Sequence, residues 1–582
     1  MVYPGGMQGY VHYQLWIDRP HTHRASVEIT LPPLTGAVEL AMPAWTPGAY
    51  KLVDHARNVR SLSVMSPTGE QLTVERLDLH RWLIPETVPG ARVRYEVYAD
   101  KLMIHQAQIN AEHAFLNGGP LWLCVIPARC LPATVALHLP KEWQVATALT
   151  QISPGLYRAD DYDALIDAPI EAGSFATAAV DAAGVRWEVA WHDTQTVNHL
   201  KTPSGLLPVT KGIAKIAAAA VKLFGTAPFT RYVCLFHECE EPGYLNGLEH
   251  AASLAIQGPL ALASRPDAFF TMVAHEIFHA WNGRRLTPEG LGRNCDYWRP
   301  AHTTALWVVE GITEYYASLL CLRAGLLDQA AYLRQLGELI TSYERMPGRH
   351  IATLAESSFI TWNFGDDRWN SAVNYYVKGA LTAWALDAEI REQTDNARSL
   401  DDLMRALWEK HGNAVPYQSA TVETLAASIA GCSLDNFFDR QLRSTQEIDW
   451  SRTCRKLGLE LRTRQNPALG ISASGAPGAL KIGKIEAYSP AEEAGLQAND
   501  VLVAISGLRA SEELLADIGK LVIPGERLTM SYFRGDRLCA AELPVGSSTT
   551  FQVVPAARPS KSQTAILASY LEGGMAPALA PL

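Results

Sequence analysis

The chain has 582 residues, 48% of them hydrophobic, enough to bury the cores of three or four domains at roughly 100 to 200 residues each. With 50 Lys and Arg against 60 Asp and Glu the net charge is -10, which leaves no basic footprint for nucleic acid. Nine scattered cysteines fit reduced thiols better than a disulfide framework; no basic-then-apolar leader opens Met1 to Gln14 and no window approaches the roughly 18 apolar residues of a membrane span, so a cytoplasmic location is expected.

Residues 1 to 175 read as β. Arg92 to Tyr98 alternates polar and apolar with period two, and Pro and Gly turns separate such runs. From about Val180 the pattern changes to a strand, an Ala-rich helix (Ile213 to Phe224), and strands at Arg231 to Phe236 and Ala251 to Ile256. Between the last two, Asn246-Gly247-Leu248-Glu249-His250 is placed to run along a sheet edge. Helices are expected over Ala268 to Trp281, Leu306 to Tyr316, from Asn374 to about Arg391, and over Leu400 to His411 with Ser399 as N-cap. Beyond about 455, Ser489 to Leu496 leads into Asn499 to Gly507, a helix and strand pair. The last stretch, Gly546 to Leu582, is rich in Ala, Pro and Ser and reads as an extension.

The chemistry concentrates in His275-Glu276-Ile277-Phe278-His279. Residues four apart lie on one helix face, so both imidazoles can reach one Zn²⁺ while Glu276 points at its water. Such a pattern also arises by chance, so the decision rests on a third ligand. Glu310 is the candidate: Leu306 to Tyr316 is apolar and carries two acids, Glu310 and Glu314, spaced four apart. One can face the metal while Glu314 accepts a hydrogen bond from a ligand imidazole, in the first instance His275. A solvated helix face is the bland alternative for both acids. His12, His21, His23 and His55 lack mutual ligand spacing and read as surface or turn histidines. His237 and Cys239 lack further partners for a second metal, and Lys378 reads as a solvated helical lysine.

His-Glu-x-x-His followed by Trp-x-x-Glu-Gly-x-Thr-x-Tyr-Tyr resembles the gluzincin metallopeptidases, specifically the glycyl aminopeptidase family with its carboxy-terminal PDZ domain. The long gap from His279 to Glu310 differs from aminopeptidase N relatives and suggests an inserted loop, Gly283 to Thr304. The resemblance implies a multidomain α+β chain. Its parts are an N-terminal β-sandwich-like domain (1–175), a thermolysin-like, mostly helical catalytic domain (176–452), a PDZ domain (455–545) and an extension (546–582). Met42 to Tyr50 with Asp54 to Arg57 resembles a signature of that first domain and reads as structural, though able to border a substrate cleft.

Residue by residue, the resemblance implies one Zn²⁺ per chain on His275, His279 and Glu310, with Glu276 as base. Glu249 would hold the substrate's free α-amino group, leaving room for one residue before the scissile bond. His250 stands where the relatives have Asn, and its role stays open. Tyr376, or alternatively Tyr375, would stabilise the oxyanion. The implied activity is an aminopeptidase preferring Gly or Ala. The alternatives are a zinc endopeptidase, if Glu249 does not face the cleft, and a peptide-binding PDZ scaffold with an inert peptidase lobe. At the PDZ domain, Leu469, Gly470 and Ile471 would present backbone N–H groups to a peptide's terminal carboxylate.

Overall fold

The computed structural model describes residues 9–193, 205–239, 245–259, 265–365 and 367–572. Part of the stretch read for a leader, and residues 573–582 of the extension, lie outside them. The architecture is α+β, with a β-rich amino-terminal region and a helical part that follows. The chain divides into two compact units. The first comprises Met1–Thr303, Arg323–Leu326 and Met404–Gln418; the second comprises Thr304–Leu322, Leu327–Leu403 and Ser419–Leu582.

In the first unit, period-two alternation does what it predicts. Val11–Trp16 buries Val11, Tyr13 and Leu15, and Arg92–Tyr98 buries Val93, Tyr95 and Val97. Both belong to an eight-stranded sheet in which Val11–Trp16 runs parallel to Ala133–His138 and antiparallel to Arg24–Thr30. Two four-stranded sheets accompany it, one built on His113–Leu116 and Ile170–Gly173. Next comes a five-stranded sheet ordered Ala176–Ala182, Val185–Asp193, Arg231–Glu238, Ser253–Gly258, Asn246–Glu249. Its three central strands are parallel, and Asn246–Glu249 forms the antiparallel edge, as the sequence suggested.

The Ala-rich helix spans Leu207–Phe224 and packs on the helix Pro266–His279. The two approach so closely at Gly212 that an added methyl would sit 2.0 Å from the Phe270 ring.

In the second unit, Trp307–Ile312 is a π-helical turn continued by the α-helix Thr313–Arg323. The helix Tyr375–Gln393 lies against that turn through a pair of glycines: a methyl on Gly311 would be 2.4 Å from the Gly379 Cα. Beyond Trp450–Lys456, Leu459–Ala468 pairs over its whole length with Gly546–Pro555, so the stretch after 545 is built into a ribbon and ends in the helix Lys561–Glu572. Between the two ribbon strands, residues 471–544 form a separate antiparallel sheet with the helices Pro490–Glu493 and Glu512–Leu521, closed on a core that includes Leu480, Ile482, Leu502, Ile505 and Met530. No disulfide is formed among the described residues, and no described helix is long and apolar enough to cross a membrane.

Candidate active site

The motif helix Pro266–His279 starts with proline at its first turn and is apolar on most of its circumference. Its site residues are correspondingly buried: His275 is 7% exposed, Glu276 3% and His279 1%. The four-residue spacing brings His275 Nε2 and His279 Nε2 to 3.0 Å. His279 Nδ1 lies 2.8 Å from the Asn282 carbonyl oxygen, to which it donates. That bond places the ring proton on Nδ1 and leaves Nε2 as an acceptor facing its neighbour. Two imidazole nitrogens converging in this way, with carboxylates close by, fit a shared zinc-class cation.

The edge strand Asn246–Glu249 lies directly against this helix. A methyl on Gly247 would lie 2.1 Å from Glu276 Oε1, so the carboxylate rests on bare backbone at that residue. Glu249, Glu276 and His279 are buried together, with ligand atoms within 4.8 Å of one another. Glu249 is touched in turn from the amino-terminal region: at Gly48 the backbone has φ +90, and a methyl there would be 2.9 Å from Glu249 Oε1. The segment Met42 to Tyr50 therefore borders the site. Neither glycine's role was visible in the sequence, because each depends on a carboxylate far along the chain or on another strand.

The segment after the motif helix is fastened to the β-rich region. Ala44 N donates to the Tyr297 carbonyl and Trp45 Nε1 to that of Arg299 at 3.0 Å. Arg284 Nη2 meets Asp167 Oδ1 at 2.6 Å, and His250 Nδ1 shares that oxygen at 3.1 Å. Burial works to raise the Asp167 pKa, but Arg284, His250 and the Ala251 N–H outweigh it and hold the carboxyl below its usual range. His250 is thus a fully buried strut beneath Glu249. His55 departs from the surface or turn expectation: it is fully buried against Thr46 Oγ1 at 3.0 Å, and burial, reinforced by His105, Arg57 and His80, lowers its pKa to about 3.

In the second unit Glu310 is 2% exposed and sits in the π-helical turn, whereas Glu314, one turn on, is half-buried. A regular helix was expected here. Asn374 caps the helix Tyr375–Gln393 by accepting from Tyr376 N at 2.8 Å and Val377 N at 3.4 Å. Tyr375 is buried with its hydroxyl 3.0 Å from Thr361 Oγ1, while Tyr376 is half-buried. Lys378 is not solvated: it is fully buried, with Nζ donating to the Ser444 carbonyl at 3.2 Å. Burial, helped by the charge of Arg349, lowers its pKa to about 8. The helix is covered around most of its circumference, which a lysine in an amphipathic pattern does not reveal. Leu469 and Gly470 form the turn between the ribbon strand and Ile471–Ser474. Gly470 has φ +78, and a methyl there would meet Ser489 Cβ at 2.1 Å. The Leu469 and Gly470 carbonyls accept from Ala491 N and Glu486 N.

Residues 12–174 match the peptidase M61 N-terminal domain and residues 268–382 match M61 glycyl aminopeptidase. Among solved structures, the chain is similar to an aminopeptidase N family protein from Idiomarina loihiensis, at 26% identity over 96% of this chain and 100% of that one, with a TM-score of 0.88. Slighter likenesses are an M1 zinc metallopeptidase from Deinococcus radiodurans (16% identity, 75% of this chain and 93% of that one, TM-score 0.46) and leukotriene A4 hydrolase from Saccharomyces cerevisiae (13%, 76% and 67%, TM-score 0.43). No curated protein matches the chain. The family matches support a peptidase.

Proposed function

We propose that this peptidase is a zinc-dependent aminopeptidase that removes the first residue of peptides with a free amino terminus, Gly or Ala by preference. One observation carries the reading: the edge strand that rests Glu276 on Gly247 also brings Glu249 into the same buried group as Glu276 and His279. A metal ligand, a base and a candidate amine anchor then share one small space. The glycyl aminopeptidase match supports the residue preference.

The ligands we assign are His275, His279 and Glu310, each of them buried, with Glu314 orienting His275. Zinc bound there would polarise a water molecule and the scissile carbonyl. Glu276 takes the water's proton and passes it to the departing amine. Glu249 holds the substrate's α-ammonium by a charge-assisted hydrogen bond, which fixes the cleavage point after one residue. Tyr376 donates its hydroxyl to the developing oxyanion. Tyr375, whose hydroxyl is engaged by Thr361, is the weaker candidate. Residues 1–175, 176–452 and 455–545 serve as β-domain, catalytic domain and PDZ domain, with Leu469, Gly470 and Ile471 receiving a peptide carboxylate.

The test is zinc content together with hydrolysis of Gly- and Ala-p-nitroanilide by the native chain, Glu276→Gln and Glu249→Gln, with acetylated substrates as controls. About one equivalent of zinc at this centre, activity lost in Glu276→Gln and amine selectivity lost in Glu249→Gln are expected. Cleavage of blocked or internal peptides alone would make it an endopeptidase. Absence of both zinc and hydrolysis would leave a peptide-binding scaffold.

A further inference from the structure

A second cluster of ligating side chains is buried in the first unit, where the sheet carrying His113–Leu116 and Ile170–Gly173 packs on the five-stranded sheet. His113 and Glu171 come from the former; His192 and His237, register partners on adjacent parallel strands, come from the latter. Phe115 meets the His237 ring edge-on at 4.8 Å between centroids and belongs to an apolar cluster with Phe175, Ala190, Val233 and Leu235. His113 and His237 are fully buried, and Glu171 and His192 nearly so. The sequence alone offered His237 beside Cys239 and no further partners. The fold supplies the partners from strands far away in the chain.

Glu171 Oε1 lies 3.0 Å from His113 Nδ1, and Oε2 lies 2.7 Å from His237 Nε2. The His113, Glu171 and His237 ligand atoms all fall within 4.8 Å of one another. On its far side His113 Nε2 faces Gln108 Oε1 at 3.1 Å. A neutral imidazole has one N–H, so it cannot donate to Glu171 and Gln108 at once. If the proton sits on Nε2 and goes to Gln108, Nδ1 turns a lone pair toward a carboxylate. That contact is repulsive unless a cation stands between them; a neutral ring avoids it by donating from Nδ1 to Glu171, with the Gln108 amide turned so that its N–H meets Nε2.

His192 repeats the arrangement. Its Nδ1 faces the Ser174 carbonyl at 3.4 Å, and its Nε2 is buried with no hydrogen-bond partner among the described residues, although the ring stacks on His113 at 3.7 Å between centroids. A ring with its proton held outward on a carbonyl, turning its other nitrogen inward, is the preparation seen at His279. Among the described residues, the side-chain hydrogen bonds of Glu171 go to the two imidazoles alone, and no Lys or Arg pairs with it. A buried carboxylate in that position calls for a positive charge between or upon its partners.

We propose that His113, Glu171 and His237, with His192 as neighbouring fourth donor, form a second metal site that binds a zinc-class transition-metal dication and clamps the β-rich region to the five-stranded sheet. Imidazole and carboxylate donors in an enclosed apolar setting select zinc, cobalt or nickel over calcium and magnesium, which require oxygen ligands. The site has no catalytic role. Its ion contributes by joining strands from two sheets.

The experiment is equilibrium dialysis of the chelator-stripped full chain against Zn²⁺ alone, and separately against Co²⁺, for the native protein, His275→Ala/His279→Ala, and His237→Gln. Native protein is expected to hold about two equivalents, and each variant about one. Zinc should still raise the melting temperature of the His275→Ala/His279→Ala protein by several degrees, and Co²⁺ should give that protein visible d–d bands. If His237→Gln fails to fold, the His275→Ala/His279→Ala protein decides by itself. A folded His275→Ala/His279→Ala protein that takes up neither metal overturns the proposal, as does a His237→Gln protein that keeps both equivalents. If the native protein and the His275→Ala/His279→Ala protein each hold about one, the second site stands and the zinc peptidase reading is what fails.

Discussion

Replacing Gly247 by alanine tests the placement of Glu276 without touching any proposed ligand. The new methyl would start 2.1 Å from Glu276 Oε1, 2.5 Å from Cδ and 2.8 Å from Cγ. To reach ordinary contact near 3.4 Å, the carboxylate must retreat by about 1.3 Å, because the edge strand is held by pairing from Asn246↔Gln257 to Glu249↔Leu254. Gly247 does not use a left-handed backbone, so alanine brings no conformational strain of its own. A base misplaced by about 1 Å costs on the order of 100-fold in rate, or about 2.7 kcal/mol. We expect kcat/KM on Gly-p-nitroanilide to fall by about that factor, mainly through kcat, with zinc content and melting temperature close to native. Measuring metal content and melting alongside the kinetics separates a displaced base from a lost metal. A Gly247→Ala protein that keeps more than half of the native kcat/KM would show that the contact does not position Glu276 as the proposed base.

Gly48→Ala adds a methyl 2.9 Å from Glu249 Oε1 at a residue with φ +90, and should raise KM for free-amine substrates about ten- to a hundredfold while shrinking their advantage over acetylated ones. An unchanged selectivity ratio would remove Glu249 from amine recognition. Tyr376→Phe should lower kcat about 10²- to 10³-fold. Tyr375→Phe should keep kcat and lose about 1 kcal/mol of stability in urea unfolding, because it forfeits the bond to Thr361; the reverse pattern would exchange the two roles. For Lys378, the folded pKa of about 8 lies below the ordinary 10.5, so the unfolded chain binds more protons between those values and this group's penalty shrinks as pH rises through that window. Lys378→Met should therefore melt higher than the native chain at pH 7, with the gap narrowing towards pH 10; a pH-independent gap would mean that the buried charge is not its cause.

Features that depend on neighbours in the sequence were legible without coordinates. Alternation in Arg92–Tyr98 buries one face because the strand repeats every two residues, and the helix Leu400–His411 forms where its pattern lies. The facing of His275 and His279 follows from helical pitch. The edge position of Asn246–Glu249 followed from strand-like runs on either side. Lys378 was misjudged because a helical pattern does not say how many of its faces other helices cover.

What the sequence by itself determined is the set of local repeats and the chemistry of short motifs, since both are governed by contacts within a turn or a strand. Only the tertiary structure decided that Gly247 carries Glu276, that Gly48 touches Glu249, and that Gly311 and Gly379 let the turn bearing Glu310 sit against the helix Tyr375–Gln393. The same is true of His113, Glu171 and His237, which are unremarkable singly and become a candidate ligand set, with His192 stacked on His113, when two sheets pack. These contacts join residues brought together by pairing and burial, and close packing of that kind leaves no periodic mark in the chain.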